Sequence, residues 1–463
     1  MNIRNSTLSY SKFLNVLLFC FPVAYLAGNA SLNVIIILSS IIGLIGFSKD
    51  IYVIKNESFF YLITFFFLTI IISTIIDSLS DPRNDHFFKS IAYLRYFFFF
   101  LVASYLVNSQ KFNFKIFIIS SLFCSVFLSL DIIFQFFYGV DLLGNKAYEK
   151  SSVHLAGFLK DDYTAGAYIQ KFFIFGFIFF PFISNKLKKY KFVILIFLTV
   201  VFFLGILLSG NRMPIVMYIF SIFLMFILIK DFRLPLVIGL FFCSAIFIWS
   251  INNNQNLKDY YSSFYLNATR TIYYVKTNAF QDYPKLEKQK GKYFESQAWI
   301  DKTIDYSGKF NTVILQDGTK YNIIPTFGSG HAVLYITALD LWMDNPLLGN
   351  GIKSFRVKCL DKIHLPSRAC ESHPHNYYLE ILNDSGIIGA IIFLLLILII
   401  LKNKLYNLKT YKKEEKLFLV CMFIIIISEF FPLKSTGSFF SIQNSSYIFF
   451  ILGMLSGLKK IKF

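Results

Sequence analysis

The sequence is poor in charged residues. Asp, Glu, Lys and Arg make up 16% of its 463 residues, whereas a soluble domain carries about 25%. Hydrophobic residues make up 56%, and the mean hydropathy is +0.58. A chain with so little polar surface does not dissolve in water. The composition therefore excludes a soluble globular protein and predicts an all-α polytopic membrane protein.

Acidic residues are especially scarce. The chain has 27 Asp and Glu against 45 Lys and Arg, which gives a formal net charge of +18. A basic protein can bind nucleic acid, but no basic face or RNA-binding motif is present in this sequence. The excess instead fits the rule that cytoplasmic loops of membrane proteins collect Lys and Arg. We therefore expect membrane lipids, and no nucleic acid, as partners.

Cysteine is infrequent, with six residues in the chain. Four lie inside apolar runs, where cysteine is a packing residue: Cys20, Cys124, Cys243 and Cys421. The other two, Cys359 and Cys370, share one polar loop. If that loop lies outside the cytoplasm, a disulfide between them is the natural interpretation.

Long apolar runs, in contrast, are abundant. A bilayer crossing needs about 20 apolar residues, and the sequence offers about twelve candidate transmembrane helices. They cover residues 13–28, 30–47, 58–77, 91–107, 114–137, 164–184, 192–209, 212–229, 233–250, 386–401, 416–431 and 446–458. The first also resembles a signal peptide, with Arg4 and Lys12 before its apolar stretch and Ala27 and Ala30 after it. Cleavage there would remove one helix without changing the sidedness of the others.

The distribution of Lys and Arg indicates the orientation. With the N-terminus in the cytoplasm, the inside segments carry 21 Lys and Arg and the short outside loops carry 7, as the positive-inside rule requires. The ninth span then exits outward. The chain divides into helices one to nine (1–250), one large outside segment (251–385) and helices ten to twelve (386–463). The cysteine pair falls in the outside segment, which favours its disulfide.

The outside segment has local patterns of its own. From Ser262 to Phe280 an apolar face is typical of a helix lying on the membrane surface. Asn311–Leu315 and Thr319–Ile323 flank an Asp-Gly pair, which predicts a β-hairpin. Residues 330–343 have the pattern of a helix ended by an Asn-Pro pair.

Polar and ionisable side chains inside the spans gather near the outer ends of those spans. Such groups are costly in a bilayer and are functional candidates by default. They are Arg95, Asp131, Gln135, Lys171 and Glu429, with Arg212 in the hairpin between spans seven and eight. Each alone has a structural alternative, either snorkelling to the interface or an internal ion pair such as Arg95 with Asp131. Together, several cations facing one outer vestibule suit a lipid-linked anion such as a diphosphate.

A second focus is the polar loop that contains His373 and His375. Helical signals begin after Pro374, so His375 would lie at a helix N-terminus. The partial positive charge there disfavours imidazolium, which leaves the neutral imidazole that a general base requires. The structural alternative is an ordinary cap or core histidine. His373, two residues earlier in the loop, would bind the acceptor or be solvated.

This loop resembles the signature of the O-antigen ligase and O-antigen polymerase superfamily: His375-Asn376, nine residues, Gly386, two residues and Gly389. Other segments are similar to the family in order and spacing. They are Asp131 to Gly144, Gly157-Phe158 with Asp161 and Gly166, Gly210-Asn211-Arg212, Asp344 to Gly351 with Phe355, and Pro432 to Ser438. The resemblance covers most of the chain, and it makes His375 the principal candidate.

The resemblance implies an integral-membrane glycosyltransferase of the C type in the bacterial inner membrane, with its active site facing the periplasm. It would move a glycan from undecaprenyl diphosphate to an acceptor hydroxyl. The acceptor is lipid A-core for a ligase and another lipid-linked glycan for a polymerase. The complete histidine motif favours the ligase, and transfer to a protein is a minor third variant.

Roles for individual residues follow from the same resemblance. His375 would be the catalytic base, and Arg212 would bind the donor diphosphate together with Arg95 and Lys171. Many members have a second arginine near the start of the loop helix, where this chain has Gly330-His331. The substitutes would be His331, Arg270 or Lys434. Acceptor or structural support would come from His373, Asn376, Asp131, Gln135 and Glu429.

We expect neither a metal nor another cofactor. C-type transferases that use a divalent ion have paired acidic residues in their first outer loop, and that loop is only Gly28-Asn29 here. The pair Asp161-Asp162 is interpreted as structural. A flippase or transporter is the alternative of a different class, but it should have polar sites near the bilayer midplane, often with repeats or broken helices. The sequence has no internal repeat, and its charges lie at the outer rim.

Overall fold

The computed structural model of the chain describes residues 3–48, 54–55, 57–84, 86–146, 154–160, 164–182, 189–262, 312–314, 320–322, 330–363, 368–406 and 411–459. Most of these residues are helical. The helices are α1 (Ile3–Phe19), α2 (Phe21–Ala27), α3 (Asn29–Phe47), α4 (Ser58–Ser80), α5 (Phe87–Asn108), α6 (Phe114–Tyr138), α7 (Ala165–Ile178), α8 (Lys191–Leu208), α9 (Arg212–Leu228), α10 (Arg233–Asn253), α11 (Gly330–Asp344), α12 (Phe355–Lys358), α13 (Tyr377–Tyr406), α14 (Lys413–Glu429) and α15 (Ile442–Gly457). Two short strands, β1 (Thr312–Ile314) and β2 (Lys320–Asn322), pair antiparallel.

Each of the twelve predicted spans coincides with a helix, the first of them with α1 and α2, which are bent by 40° at their break. Within the described ranges, seven helices are long and apolar enough to cross a membrane, or eight when the bent pair counts as one span. Helices α7 and α9 are apolar but shorter. The chain is therefore a polytopic membrane protein, while the number twelve and the sidedness of the loops stay predictions.

Aromatic and small residues pack the helices together. Phe99 of α5 stacks on Phe450 of α15 with ring centroids 5.5 Å apart, and Phe21 of α2 packs against the same ring at 4.9 Å. A Cβ at Gly453 would lie 2.8 Å from the carbonyl oxygen of Phe100, so only glycine permits this approach of α5 and α15. Close packing of this kind holds membrane helices together, because the apolar effect is weak between helices in lipid.

The turn that follows α11 packs against a kink in α13, and this kink is formed at a glycine. Gly386 interrupts the helix with φ 63° and ψ −172°, a conformation that residues other than glycine rarely adopt. A Cβ on Gly386 would lie 2.2 Å from the carbonyl oxygen of Leu347, and one on Gly349 would lie 2.4 Å from the amide nitrogen of Gly386. The turn therefore docks directly on the kink, which explains the need for glycine at both positions.

Buried polar groups fix this turn to both α4 and α13. The fully buried carboxylate of Asp384 accepts hydrogen bonds from the amide of Lys353 (2.6 Å) and the hydroxyl of Ser354 (3.1 Å). The carbonyl of Asp384 accepts from the amide of Gly351 (3.0 Å) and the hydroxyl of Ser73 in α4 (2.9 Å). A buried network with its partners in place specifies one arrangement, and this one determines the path of residues 350–354.

The segment between α10 and α13 has its own small hydrophobic cluster. Helix α11, which matches the predicted helix there, contributes Val333 and Leu341, and these pack with Phe355 of α12. Cys359 and Cys370 are joined in a disulfide with their Cα atoms 5.0 Å apart, within the range that such a bond needs. The paired strands β1 and β2 match the predicted hairpin. Its turn and most of the predicted surface helix lie outside the described residues.

Candidate active site

The histidine motif lies at the start of α13. Asn376 is the N-cap of this helix, because its Oδ1 accepts hydrogen bonds from the amides of Tyr378 (3.0 Å) and Leu379 (3.2 Å). Its Nδ2 donates to the carbonyl of Pro432 (2.9 Å). His375 precedes the cap with φ 55°, which is uncommon for a residue other than glycine. His375 therefore lies at the helix start, as predicted, and Asn376 has a structural role.

The loop between α14 and α15 orients the ring of His375. Nδ1 of His375 lies 3.1 Å from the carbonyl oxygen of Thr436, and the amide of Thr436 donates to the carbonyl of His375 at 2.8 Å. A carbonyl oxygen only accepts hydrogen bonds, so Nδ1 carries the proton. In a neutral imidazole, Nε2 then has the free lone pair, which is the atom that a general base uses.

Glu380, in the first turn of α13, holds this loop in place. Its carboxylate accepts hydrogen bonds from the hydroxyl of Ser438 and the amide of Phe439, both at 2.5 Å, and all three residues are buried. The same helix therefore carries the histidine motif and anchors the loop that orients it. Glu380 was not among the predicted site residues. An acidic residue on the buried face of α13 could have indicated its role.

Three histidines meet beside the cap. The ring centroid of His375 lies 4.1 Å from that of His373 and 4.6 Å from that of His331. Burial lowers the pKa of His375 and the pKa of His331. Burial and the nearby His375 lower the pKa of His373 to about 4. All three rings are therefore neutral at pH 7. In the described part of the chain, no group of three or more His, Cys, Asp and Glu side chains is arranged to hold a metal ion.

A cavity of about 360 Å³ lies next to the histidines. His373 contributes to its wall, whereas His375 does not line the cavity and is in ring contact with His373. Three cationic side chains also line it, those of Lys171, Lys353 and Arg356. Lys353 and Arg356 were not predicted as site residues, because nothing in their local sequence pattern distinguishes them from other cations in loops. Only the docking of the preceding turn on α13 brings them to the histidines.

Two of the cations predicted to bind diphosphate share one carboxylate. Lys171 of α7 forms an ion pair with Glu429, and Nζ of Lys434 lies 2.9 Å from the other carboxylate oxygen of Glu429. The hydroxyl of Tyr377 also donates to Glu429 at 2.8 Å. All four residues are buried. Lys171 and Glu429, both predicted near the outer ends of their spans, thus lie together with Lys434, and the carboxylate neutralises part of the positive charge of this cluster.

Arg212, the first residue of α9, packs against the chain that follows α10. Its guanidinium carbon lies 3.8 Å from the ring centroid of Tyr260, and Nη2 donates to the carbonyl of Tyr260 at 3.0 Å. The neighbouring Asn211 accepts a hydrogen bond from the amide of Gly166 (3.0 Å) in the first turn of α7. Thr164, just before that turn, lines the cavity, whereas Arg212 itself does not. The structure thus links the Arg212 hairpin to the cavity through α7.

The remaining polar residues in the predicted spans contact different parts of the chain, and their contacts do not bring them together in one vestibule. Arg95 donates to the hydroxyl of Tyr96 at 3.0 Å. Asp131 and Gln135 accept from the amides of residues 157–158, at 2.7 and 2.9 Å respectively. The alternative ion pair between Arg95 and Asp131 is therefore not formed. Asp131 and Gln135 instead hold the loop after α6, which is a structural role.

The residues expected to replace a second arginine fall in different places. Gly330 begins α11, and His331 follows it in ring contact with His375. Lys434 is paired with Glu429. Arg270 lies outside the described residues.

Residues 325–394 match the family model described as O-antigen ligase. The matched segment contains α11, the turn on the kink, the disulfide and the histidine motif. A search of the curated proteins found no match. The family match confirms the predicted resemblance to the O-antigen ligase and polymerase superfamily, and it supports a membrane enzyme of the glycosyltransferase kind that uses lipid-linked glycans.

Proposed function

We propose that this chain transfers a glycan from undecaprenyl diphosphate to an acceptor hydroxyl at the periplasmic face of the bacterial inner membrane. The observation that carries the proposal is the hydrogen bond from Nδ1 of His375 to the carbonyl of Thr436. It leaves Nε2 of a neutral ring free to accept a proton, in a segment that matches the O-antigen ligase family.

The chemistry needs one base and one stabilised leaving group. Nε2 of His375 takes the proton of the acceptor hydroxyl as its oxygen forms a bond to the anomeric carbon, and the bond from that carbon to the diphosphate oxygen breaks. The imidazolium so formed lies near Glu371, whose Oε2 is 4.0 Å from Nε2. The diphosphate leaves with its charge stabilised by cations, of which the resemblance assigns Arg212 as one.

The acceptor distinguishes two forms of this proposal. We favour a ligase, whose acceptor is lipid A-core, over a polymerase that extends another lipid-linked glycan, because the histidine motif is complete. A deletion strain tests this choice by its lipid products. Loss of capped core with accumulation of long lipid-linked polymer supports the ligase, whereas accumulation of single repeats supports the polymerase.

A transporter is the competing class. Transporters bind their cargo near the bilayer midplane, in broken helices or between repeats. Here His375 precedes α13 and Arg212 begins α9, so the candidate residues lie at helix ends. A transfer assay with purified protein in nanodiscs, with donor and acceptor on the same side of the membrane, distinguishes an enzyme from a transporter. Product formation there supports an enzyme, and a flippase would form none.

The periplasmic location of the site has its own test. A cysteine introduced for Lys309, in the predicted outside segment, should react with a membrane-impermeant maleimide in cells whose outer membrane is permeabilised. Labelling only after the inner membrane is broken would reverse the predicted orientation.

A further inference from the structure

The charged side chains that line the cavity beside His373 are all cationic. It includes Lys171, Lys353 and Arg356, and no Asp or Glu side chain among the described residues. Its volume of about 360 Å³ falls in the range of about 300–1,000 Å³ that small-molecule sites have. Lys171 is already paired with Glu429, but Lys353 and Arg356 add two further like charges to the same wall, which is unfavourable unless an anion joins them.

Lys353 and Arg356 are the two cations that remain available. Within the described residues, Nζ of Lys353 and the guanidinium of Arg356 form no hydrogen bond and no ion pair, in contrast to Lys171, which is paired with Glu429. The backbone of Lys353 is fixed, since its amide donates to the buried Asp384. Burial and the charge of Arg356 lower the pKa of Lys353, while the buried Glu380 raises it by a smaller amount, so the net effect on this ammonium is that of partial burial beside a like charge.

Two helix N-termini also reach the same cavity. Thr164 and Ala167 line it at the start of α7, and Ser441 and Asn444 line it at the start of α15. These helices have 14 and 16 residues. The N-terminus of a helix carries a partial positive charge that favours anions, phosphates above all. The helix ends and the two cations thus point to the same class of ligand.

We propose that Lys353 and Arg356 bind the diphosphate of the lipid-linked donor in this cavity, beside the ring of His373. The inference rests on the proposed function, which supplies the donor. A phosphate of the acceptor has the same chemistry and is the other source that the experiment must distinguish. The planar guanidinium of the exposed Arg356 would donate two hydrogen bonds to the phosphate oxygens. The half-buried Lys353 would add a point charge.

The test measures binding to the full-length protein in nanodiscs, without catalysis. The probes are undecaprenyl diphosphate, undecaprenol and phosphorylated lipid A-core. Arg356→Gln and the double variant with Lys353→Gln should bind undecaprenyl diphosphate about tenfold or more weakly, because each loses a hydrogen bond to a charged group. Binding of undecaprenol should not change. The matched control is Lys362→Gln, a nearby cation that pairs with Asp344 and does not line the cavity.

The outcomes separate this inference from the proposed function. Unchanged affinity for undecaprenyl diphosphate in Arg356→Gln and in the double variant overturns it, as does a loss that affects undecaprenol equally. A loss for lipid A-core alone overturns the donor assignment in favour of the acceptor. His375→Ala should retain the affinity for diphosphate but lose transfer. If that variant still transfers glycan, the proposed function fails whatever the cavity binds.

Discussion

His375 and Thr436 form two hydrogen bonds with each other across 61 positions of sequence. One joins the ring to a backbone carbonyl, and the other joins the two backbones. The pair therefore fixes both the position of the histidine and the nitrogen that carries its proton. A side chain held in this way by a carbonyl is a familiar means of orienting a catalytic imidazole.

The first prediction compares the two histidines of the motif. His375→Ala should reduce glycan transfer by about 10²–10⁴-fold, the usual contribution of a general base. His373→Ala should reduce it much less, because Nδ1 of His373 lies 2.8 Å from the hydroxyl of Ser372, which can donate or accept and so does not fix the tautomer. Transfer is measured on purified variants that elute as monodisperse protein. Equal losses would mean that the base is misassigned.

The second prediction concerns pH. The base acts in its neutral form, so activity should fall as the pH falls through the pKa of His375. Burial lowers that pKa below the ordinary 6.5, while the charge of Glu371 raises it. The acid limb of the kcat/KM profile should therefore lie below pH 6.5, and Glu371→Gln should move it lower still. Glu371 is exposed, so the variant should fold. An acid limb that moves upward in Glu371→Gln would contradict this role of His375.

The third prediction concerns Arg212. Arg212→Lys should lower transfer about tenfold or more, because an ammonium cannot reproduce the two-pronged contact of a guanidinium with diphosphate. Tyr260→Phe is the control, since it keeps Arg212 and the ring under its guanidinium and removes the Tyr260 hydroxyl, which donates to the carbonyl of Gly210 and interacts with Arg212. Activity of Arg212→Lys equal to that of the control would remove the donor assignment.

The fourth prediction concerns the cysteines. Under denaturing conditions the oxidised protein should contain four reactive thiols and the reduced protein six, because Cys359 and Cys370 are bonded and the other four are free. Replacing the pair with serine should destabilise the segment that contains α11 and α12 by about 2–4 kcal/mol. Six thiols without a reductant, in protein isolated from the membrane, would refute the bond.

The fifth prediction isolates the contact at the kink of α13. Gly386→Ala places a Cβ 2.2 Å from the carbonyl oxygen of Leu347, in a backbone with φ +63°. Gly28→Ala is matched, since Gly28 also combines a positive φ with an extended ψ (102° and −175°) and has no heavy atom within 4 Å of its Cβ position. Both variants should lose about 1–3 kcal/mol of stability from backbone strain, and Gly386→Ala should lose clearly more, as measured by thermal unfolding. Similar losses would mean that the turn does not depend on this contact.

The helices were the part of the molecule that sequence predicted best. Long apolar runs specify where a chain crosses a bilayer, so the predicted span 114–137 and the helix Phe114–Tyr138 nearly coincide. The position of His375 at a helix start was also predictable, because Pro374 and the helical pattern after it mark that boundary. In each case the signal lies within one stretch of chain.

The partners of the polar residues were not predictable in the same way. Hydropathy placed Asp131 and Arg95 at similar depth, yet Asp131 accepts backbone amides and Arg95 contacts Tyr96. Lys353 reaches the cavity only because a turn docks on a kink more than thirty residues away, near Gly386. Hydropathy predicts how deep a side chain lies in the membrane. Which neighbouring helix the side chain faces depends on the rotation of its own helix about the helix axis. A single sequence contains little information about that rotation.

The dependence of His375 on Thr436 has a consequence for biosynthesis. When α13 of a nascent chain has just left the ribosome, the chain already contains every residue of the histidine motif. The carbonyl that fixes the imidazole proton is not yet in place, because Thr436 follows His375 by 61 residues and lies beyond α14. The loop that bears this carbonyl is held between α14 and α15, so it takes its position only when both have been inserted. Partly translated copies in the membrane therefore contain His375 without a defined tautomer, and the tautomer is fixed only when α14 and α15 have both been inserted.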